Sequence, residues 1–423
     1  IIGLCLLVII AEIFMAELIF LLAPGFADTP ERLRAAIDLA RITMPYLPLI
    51  SIVALWAAIA NAHDHFKAGA AAPIIANICF IAGALLIPLI ASQMGMMRAV
   101  PVAVALLVAG LAQLGFLYWT LARIDAVPAL VWPRLSDAGR KMWRNFLPAA
   151  AGAGGMQINL LIDLILASLL PVGAISWLYY ADRVAQLPLG IVGIALGTAL
   201  LPRLSAAEAG SRSAEVRDSL AEAVGLAGFL VIPAVAGLVL CGLSIMQGLF
   251  VYGAFDESDA QMAALALTAY GCGLPGFVMV KILQTAFYAA GQPGIVLKVS
   301  LTTVAINVAG SLLLMPILGH VGLALATAIS GTAAATIMVV LLARQNRVSA
   351  AFLPGLGKII LATAVMGAAV MSLQYGLDHF LHVPAAFDLV IIVGGGGAVY
   401  ALMCYSIGAV PAGLMRRGEA RNT

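Results

Sequence analysis

Charge is what this sequence has least of. Of its 423 residues only 10% are Asp, Glu, Lys or Arg, against about 25% in a soluble domain. Hydrophobic residues make up 63% and mean hydropathy is +1.08. Such a chain cannot cover a water-facing surface, so the bilayer is its solvent. The apolar residues run in long blocks rather than in strand-period alternation. That excludes a transmembrane barrel and leaves helices, the other structure that satisfies its own backbone in lipid. Neither a CxxC pair nor a Cys/His cluster occurs. Cys5, Cys79, Cys241, Cys272 and Cys404 all lie in apolar runs and read as small packing residues, not as metal ligands or disulfide partners. The absence of clustered acids, of a metal pair and of a nucleophile beside a base argues against an enzyme such as a polyprenyl-phosphate sugar transferase. A net charge of +2 offers no field for nucleic acid.

Gly, Pro and charged residues divide the apolar blocks into twelve candidate spanning helices. They fall at 1–22, 40–61, 71–92, 99–122, 146–169, 174–201, 223–250, 261–290, 295–316, 320–343, 357–376 and 387–411. With Ile1 at the cytoplasmic face, 16 of the 22 Lys and Arg fall in inside segments, from Lys67 through the basic 134–144 loop to Arg416, Arg417 and Arg421. Outside loops hold only Arg32, Arg34 and Arg98, and carry acids such as Asp256, Glu257, Asp259 and Asp378. The positive-inside rule therefore predicts both ends in the cytoplasm. The basic inner loop is a solvated segment suited to touching anionic lipid.

An internal repeat organises these spans. "APGFADT" (23–29) and "VYGAFDES" (251–258) each precede a helix, a short turn and a helix bearing an Asn, Asn77 or Asn307. Phe26 and Asn77 are 51 residues apart, Phe255 and Asn307 52. The copies are thus offset by about 230 residues, or six spans, which keeps them in one topology as a parallel repeat. Since the second copy begins near Phe146, the first should begin about 84 residues before Ile1. The chain also opens inside an apolar block without Met. The expectation is therefore an all-α polytopic membrane protein with twelve helices of a fourteen-helix, two-lobe (6+6+2) fold. Its parts are an N-terminal lobe at 1–124 holding helices three to six, an inter-lobe cytoplasmic loop at 125–145, a C-terminal lobe at 146–343, and two extra helices with a tail at 344–423.

Polar residues inside the spans carry the chemistry. Arg183 sits about nine residues, or roughly 14 Å, into its helix. A guanidinium at that depth costs at least ~2.5 kcal/mol on insertion scales, so it must face a wet cavity, an anionic ligand, or its neighbour Asp182 as a structural partner. Gly190, Gly193 and Gly197 form a small-residue stripe beyond Pro188, which suits close helix packing or a kink beside a cavity. Asp163 in "MQINLLIDLILASLL", with Asn307 and Thr327 in later spans, supplies carboxylate, amide and hydroxyl oxygens. That set suits Na⁺, or Asp163 alone would carry a proton; internal hydrogen bonding is the other reading. Lys281 either snorkels or binds ligand. Glu12 and Glu17 receive no role. The Gly394–Gly397 run lacks the Lys-Ser/Thr of a phosphate loop.

"LYYADRVAQLPLGIVGIALGTALLPRLS", "APGF" and "GHVGLALATAIS" (319–330) together resemble the MurJ (MviN) lipid II flippase family of the multidrug/oligosaccharidyl-lipid/polysaccharide exporter superfamily. The resemblance implies a V-shaped pair of six-helix lobes and a cationic central cavity for a pyrophosphate-sugar head group. It also implies a groove along the last two helices for the polyprenyl tail. Arg183 falls on the arginine of the family's YADR motif, so Arg183, Asp182 and Lys281 become candidate substrate-binding residues. Asp163, Asn307 and Thr327 fall on positions that form a cation site in some members; where those carry a second acid one turn beyond the Asn, this sequence has Ser311. The implied activity is flipping of undecaprenyl-linked peptidoglycan precursor across the bacterial inner membrane by ion-coupled alternating access. The expected protein is a monomer among membrane lipids, with no cofactor beyond Na⁺ or a proton. A drug/cation antiporter or an O-antigen-type flippase is the alternative within the superfamily, and a non-transporting scaffold is the alternative if the intramembrane charges prove dispensable.

Overall fold

The computed structural model describes residues 2–94, 99–128, 139–140, 157, 159–210, 212–347, 353–380 and 384–411. It is helical throughout these residues. The chain divides into two compact units, 1–146 and 147–423.

In the first unit, α1 (Ile2–Ile13) and α2 (Met15–Leu22) lead through a 3₁₀ turn (Pro24–Asp28) to α3 (Pro30–Thr43), α4 (Tyr46–Ala62), α5 (Phe66–Met94) and α6 (Val100–Ala122). The expected single span at 1–22 is in fact a pair of helices bent by 84°. Phe14 leaves helical geometry at φ −101°, ψ 28°, with neither Pro nor Gly at the break. The halves follow different neighbours, α1 packing on α4 and α2 on α3. Val53, Ala60, Leu117 and Leu121 form the core between α4 and α6. One polar tie crosses it: Gln113, 2% exposed, donates to Ala72 O on α5 (2.8 Å) and accepts from Tyr46 on α4 (3.4 Å).

The second unit begins with the short apolar α7 (Asn159–Ser168). It continues with α8 (Ala174–Ala209), α9 (Ser213–Leu240), α10 (Gly242–Phe250), α11 (Glu257–Ala289), α12 (Pro293–Leu318), α13 (His320–Arg344), α14 (Leu353–Phe380) and α15 (Ala385–Ser406). Most of the expected 146–169 span before Asn159 lies outside the described residues. The expected 223–250 span is two helices, interrupted at Cys241 (φ −103°, ψ 7°) ahead of Gly242. Gln374 of α14 donates to Leu240 O at this break (3.2 Å) and so satisfies a helix-end carbonyl.

Helix α11 is central, packing on α8, α9 and α13. Glycine permits the α11–α13 contact: a Cβ on Gly276 would lie 2.8 Å from Thr332 Cα, and one on Gly273 2.6 Å from Ala328 Cα. Small residues at such crossings let helices associate in lipid, where hydrophobic burial offers little. Nine helices among the described residues are long and apolar enough to cross a membrane, ten if α1 and α2 count as one span. The chain is thus an all-helical integral membrane protein.

Candidate functional site

One end of α8, α11 and α13 is tied by directional bonds, and this sets the depth of the residues below it. Asp256 caps α11 through a reciprocal pair with Asp259 (2.9 and 3.2 Å). Trp177 Nε1 of α8 donates to Asp259 Oδ1 at 2.7 Å. His320, first residue of α13, donates through Nε2 to Met262 O of α11 at 2.9 Å. At a rise of about 1.5 Å per residue, Asp182 lies roughly 8 Å below Trp177 along α8 and Thr327 roughly 10 Å below His320 along α13.

Asp163, Asn307 and Thr327, named from sequence on three separate spans, meet in the structure. The Asn307 amide lies 3.0 Å from Thr327 Oγ1 and on its other side faces Asp163 Oδ1 and Asn159 Oδ1, each at 3.1 Å. Asn159 donates to Asp163 Oδ2 at 3.2 Å. With the Asn307 nitrogen turned inward the amide donates to both oxygens, and its own oxygen accepts from Thr327. The Asp163 carboxylate, the Asn159 and Asn307 amides and the Thr327 hydroxyl thus gather hard oxygen donors in one small group, the chemistry that a small cation takes. Ser311, one turn further along α12, is fully buried and its hydroxyl finds no partner among the described residues. Donor chemistry and orphan hydroxyl together fit a small monovalent cation. Asn159 was missed from sequence, although its place one helical turn before Asp163 was a usable signal. Among the described residues there is no group of three His, Cys, Asp or Glu that could hold a metal.

Beside the cluster lies a cleft of about 520 Å³ lined by Asp182, Gln186, Gly190, Tyr270, Lys281 and Thr327, with Ala185, Leu189 and Phe277 as its apolar wall. Thr327 belongs to both sites. Of the three candidate substrate-binding residues Arg183, Asp182 and Lys281, Asp182 and Lys281 line this cleft. Arg183 is not among the lining residues: it is exposed, with its guanidinium 4.9 Å from the centre of the Tyr179 ring. Successive residues on a helix diverge by 100°, so adjacent Asp182 and Arg183 point apart. No ion pair joins them; Asp182 instead accepts from Gln186. The Arg183 charge still acts on Asp182 from the next position of α8. The close-packing reading is corrected at Gly190, where an added Cβ would meet nothing within 4 Å; Gly193 and Gly197 lie outside the described side chains. The cleft stays open there.

The family profile described as "Lipid II flippase MurJ" matches residues 1–390. The "Probable lipid II flippase MurJ" of Rhizobium tropici is 32% identical over 428 residues, covering 99% of this chain and 80% of that protein. Its counterpart in Rickettsia prowazekii (strain Madrid E) is 34% identical over 330 residues, 78% of this chain and 64% of that protein. Among solved structures, "Lipid II flippase MurJ, inward closed conformation" superposes with a TM-score of 0.79 at 22% identity, over 96% of this chain and 81% of that one. An inward-facing multidrug resistance MATE family transporter of the MOP superfamily superposes at 0.67 and 16% identity, over 81% of this chain and 79% of that one.

Proposed function

The chain belongs to the MurJ lipid II flippase family, and from that premise we propose that it moves lipid II, the undecaprenyl-linked peptidoglycan precursor, across the bacterial inner membrane for cell-wall assembly. The family match over residues 1–390 carries this reading. The likeness to a multidrug transporter rests on fold alone, at 16% identity. Transport rather than bond chemistry is the activity.

The mechanism we infer is alternating access coupled to a cation. Arg183, exposed and without a carboxylate partner among the described residues, is free to meet the pyrophosphate. Its planar fork gives two charge-assisted bonds where Lys gives a point charge, and such bonds strengthen in a low-dielectric site. Lys281 and Asp182 would contact the head group from the cleft. The Asp163, Asn159, Asn307 and Thr327 cluster would hold Na⁺ or a proton and so bias which face opens. We further infer a 6+6+2 layout in which this chain supplies 1–124 as four helices of the first lobe, 146–343 as the second lobe and 344–423 as the extra pair. Both ends would be cytoplasmic and the protein monomeric.

The test is complementation of a bacterium depleted of its own lipid II flippase, with membrane levels of the full-length protein quantified. Wild type should restore growth and appearance of lipid II at the outer leaflet. Arg183→Ala should abolish both at equal abundance, and Arg183→Lys should restore them partially at most. Wild-type growth supported by Arg183→Ala removes the pyrophosphate role.

A further inference from the structure

Four observations join the cleft to the cluster. Thr327 lines the cleft and also bonds Asn307 in the cluster at 3.0 Å. Tyr270, another lining residue, lies within electrostatic reach of both Asp182 in the cleft and Asp163 in the cluster. Gly190 holds the wall back, with open space where a side chain would be. The charged side chains at the cleft and the cluster are Asp163, Asp182 and Lys281, with the Arg183 charge acting on Asp182 from the next position of α8.

We propose that the cleft is the access route by which an alkali cation reaches the Asp163 cluster, with Asp182 as the capture point and Tyr270 and Thr327 as the walls along which it is handed on. The proposal rests on the cation reading of the cluster. A hydrated ion needs room to shed water in steps, and about 520 Å³ accommodates several waters. At the inner end of the route, hydroxyl, amide and carboxylate oxygens replace those waters. Lys281 serves as a tethered cation: it offsets one of the two carboxylates, so the emptied route carries a smaller unbalanced charge through its low-dielectric surroundings. Asp182 acts before binding is complete and therefore governs the rate of arrival more than final affinity.

The experiment measures ²²Na⁺ uptake and release by the purified full-length protein, with rapid filtration for the rates. Gly190→Cys folds like wild type because its Cβ meets nothing, and it is plugged after folding with a bulky methanethiosulfonate, identically treated wild type being the control. The plugged variant should take up and release ²²Na⁺ at least tenfold more slowly, with equilibrium binding within twofold of the control. Asp182→Asn should slow uptake severalfold and weaken its dependence on ionic strength, and Asp163→Asn should abolish binding. Unchanged rates in the plugged variant, with binding still lost in Asp163→Asn, overturn the route and leave the cation site standing. Absence of ²²Na⁺ binding in the wild type, or full binding by Asp163→Asn, overturns both.

Discussion

The two units hold polar groups in a membrane by opposite means. In the second, α11 has half of its most apolar window buried, and polar side chains from α7, α12 and α13 converge on one cluster. In the first, only 6% of the corresponding window of Pro30–Ala62 is buried, and Gln113 provides the polar tie between helices among the described residues. Its intramembrane acid Glu12 keeps one oxygen buried without a hydrogen-bond partner among the described residues, whereas Asp163 has Asn159 and Asn307 beside it. A densely packed unit can hold several polar groups at fixed separations, which a small-ion site requires.

This contrast is open to attack at its packing. Gly276→Leu in the second unit drives a side chain into the Thr332 backbone and should cost at least about 1–3 kcal/mol, with a large loss of folded protein in a thermal-stability assay. Gly115→Leu in the first unit points into open space and should change stability by about 0.5 kcal/mol at most. Equal losses from the two would erase the distinction. A smaller effect sharpens it. Gln113→Leu removes both bonds of the first unit's tie and should cost about 1 kcal/mol, the usual range for a hydrogen bond between helices in lipid. Unaltered thermal stability in Gln113→Leu would show that the first unit draws nothing from polar contacts.

Much of this architecture is legible in apolar blocks and their punctuation, because a spanning helix must be long and apolar before it can be anything else. Asp163, Asn307 and Thr327 stand out for the same reason, each being polar where lipid penalises polarity. What the blocks conceal is direction. Asp182 and Arg183 are neighbours in sequence yet face different surroundings, and a periodicity argument cannot say which face of α8 meets α11. Gly190 looks like a packing residue until its neighbours are known. The break at Cys241 had a local signal in Gly242, whereas the one at Phe14 had neither Pro nor Gly to mark it.

The central claim is that the second unit's cluster couples a cation to the movement of lipid II. The most direct measurement is lipid II flipping by the full-length protein in proteoliposomes, with and without an imposed Na⁺ or proton gradient, for wild type and Asp163→Asn at equal reconstitution. The account predicts that wild type responds to one of these gradients, and that Asp163→Asn is slower and responds to neither. A gradient response in Asp163→Asn equal to that of wild type would contradict it and return Asp163, Asn159, Asn307 and Thr327 to a purely structural role.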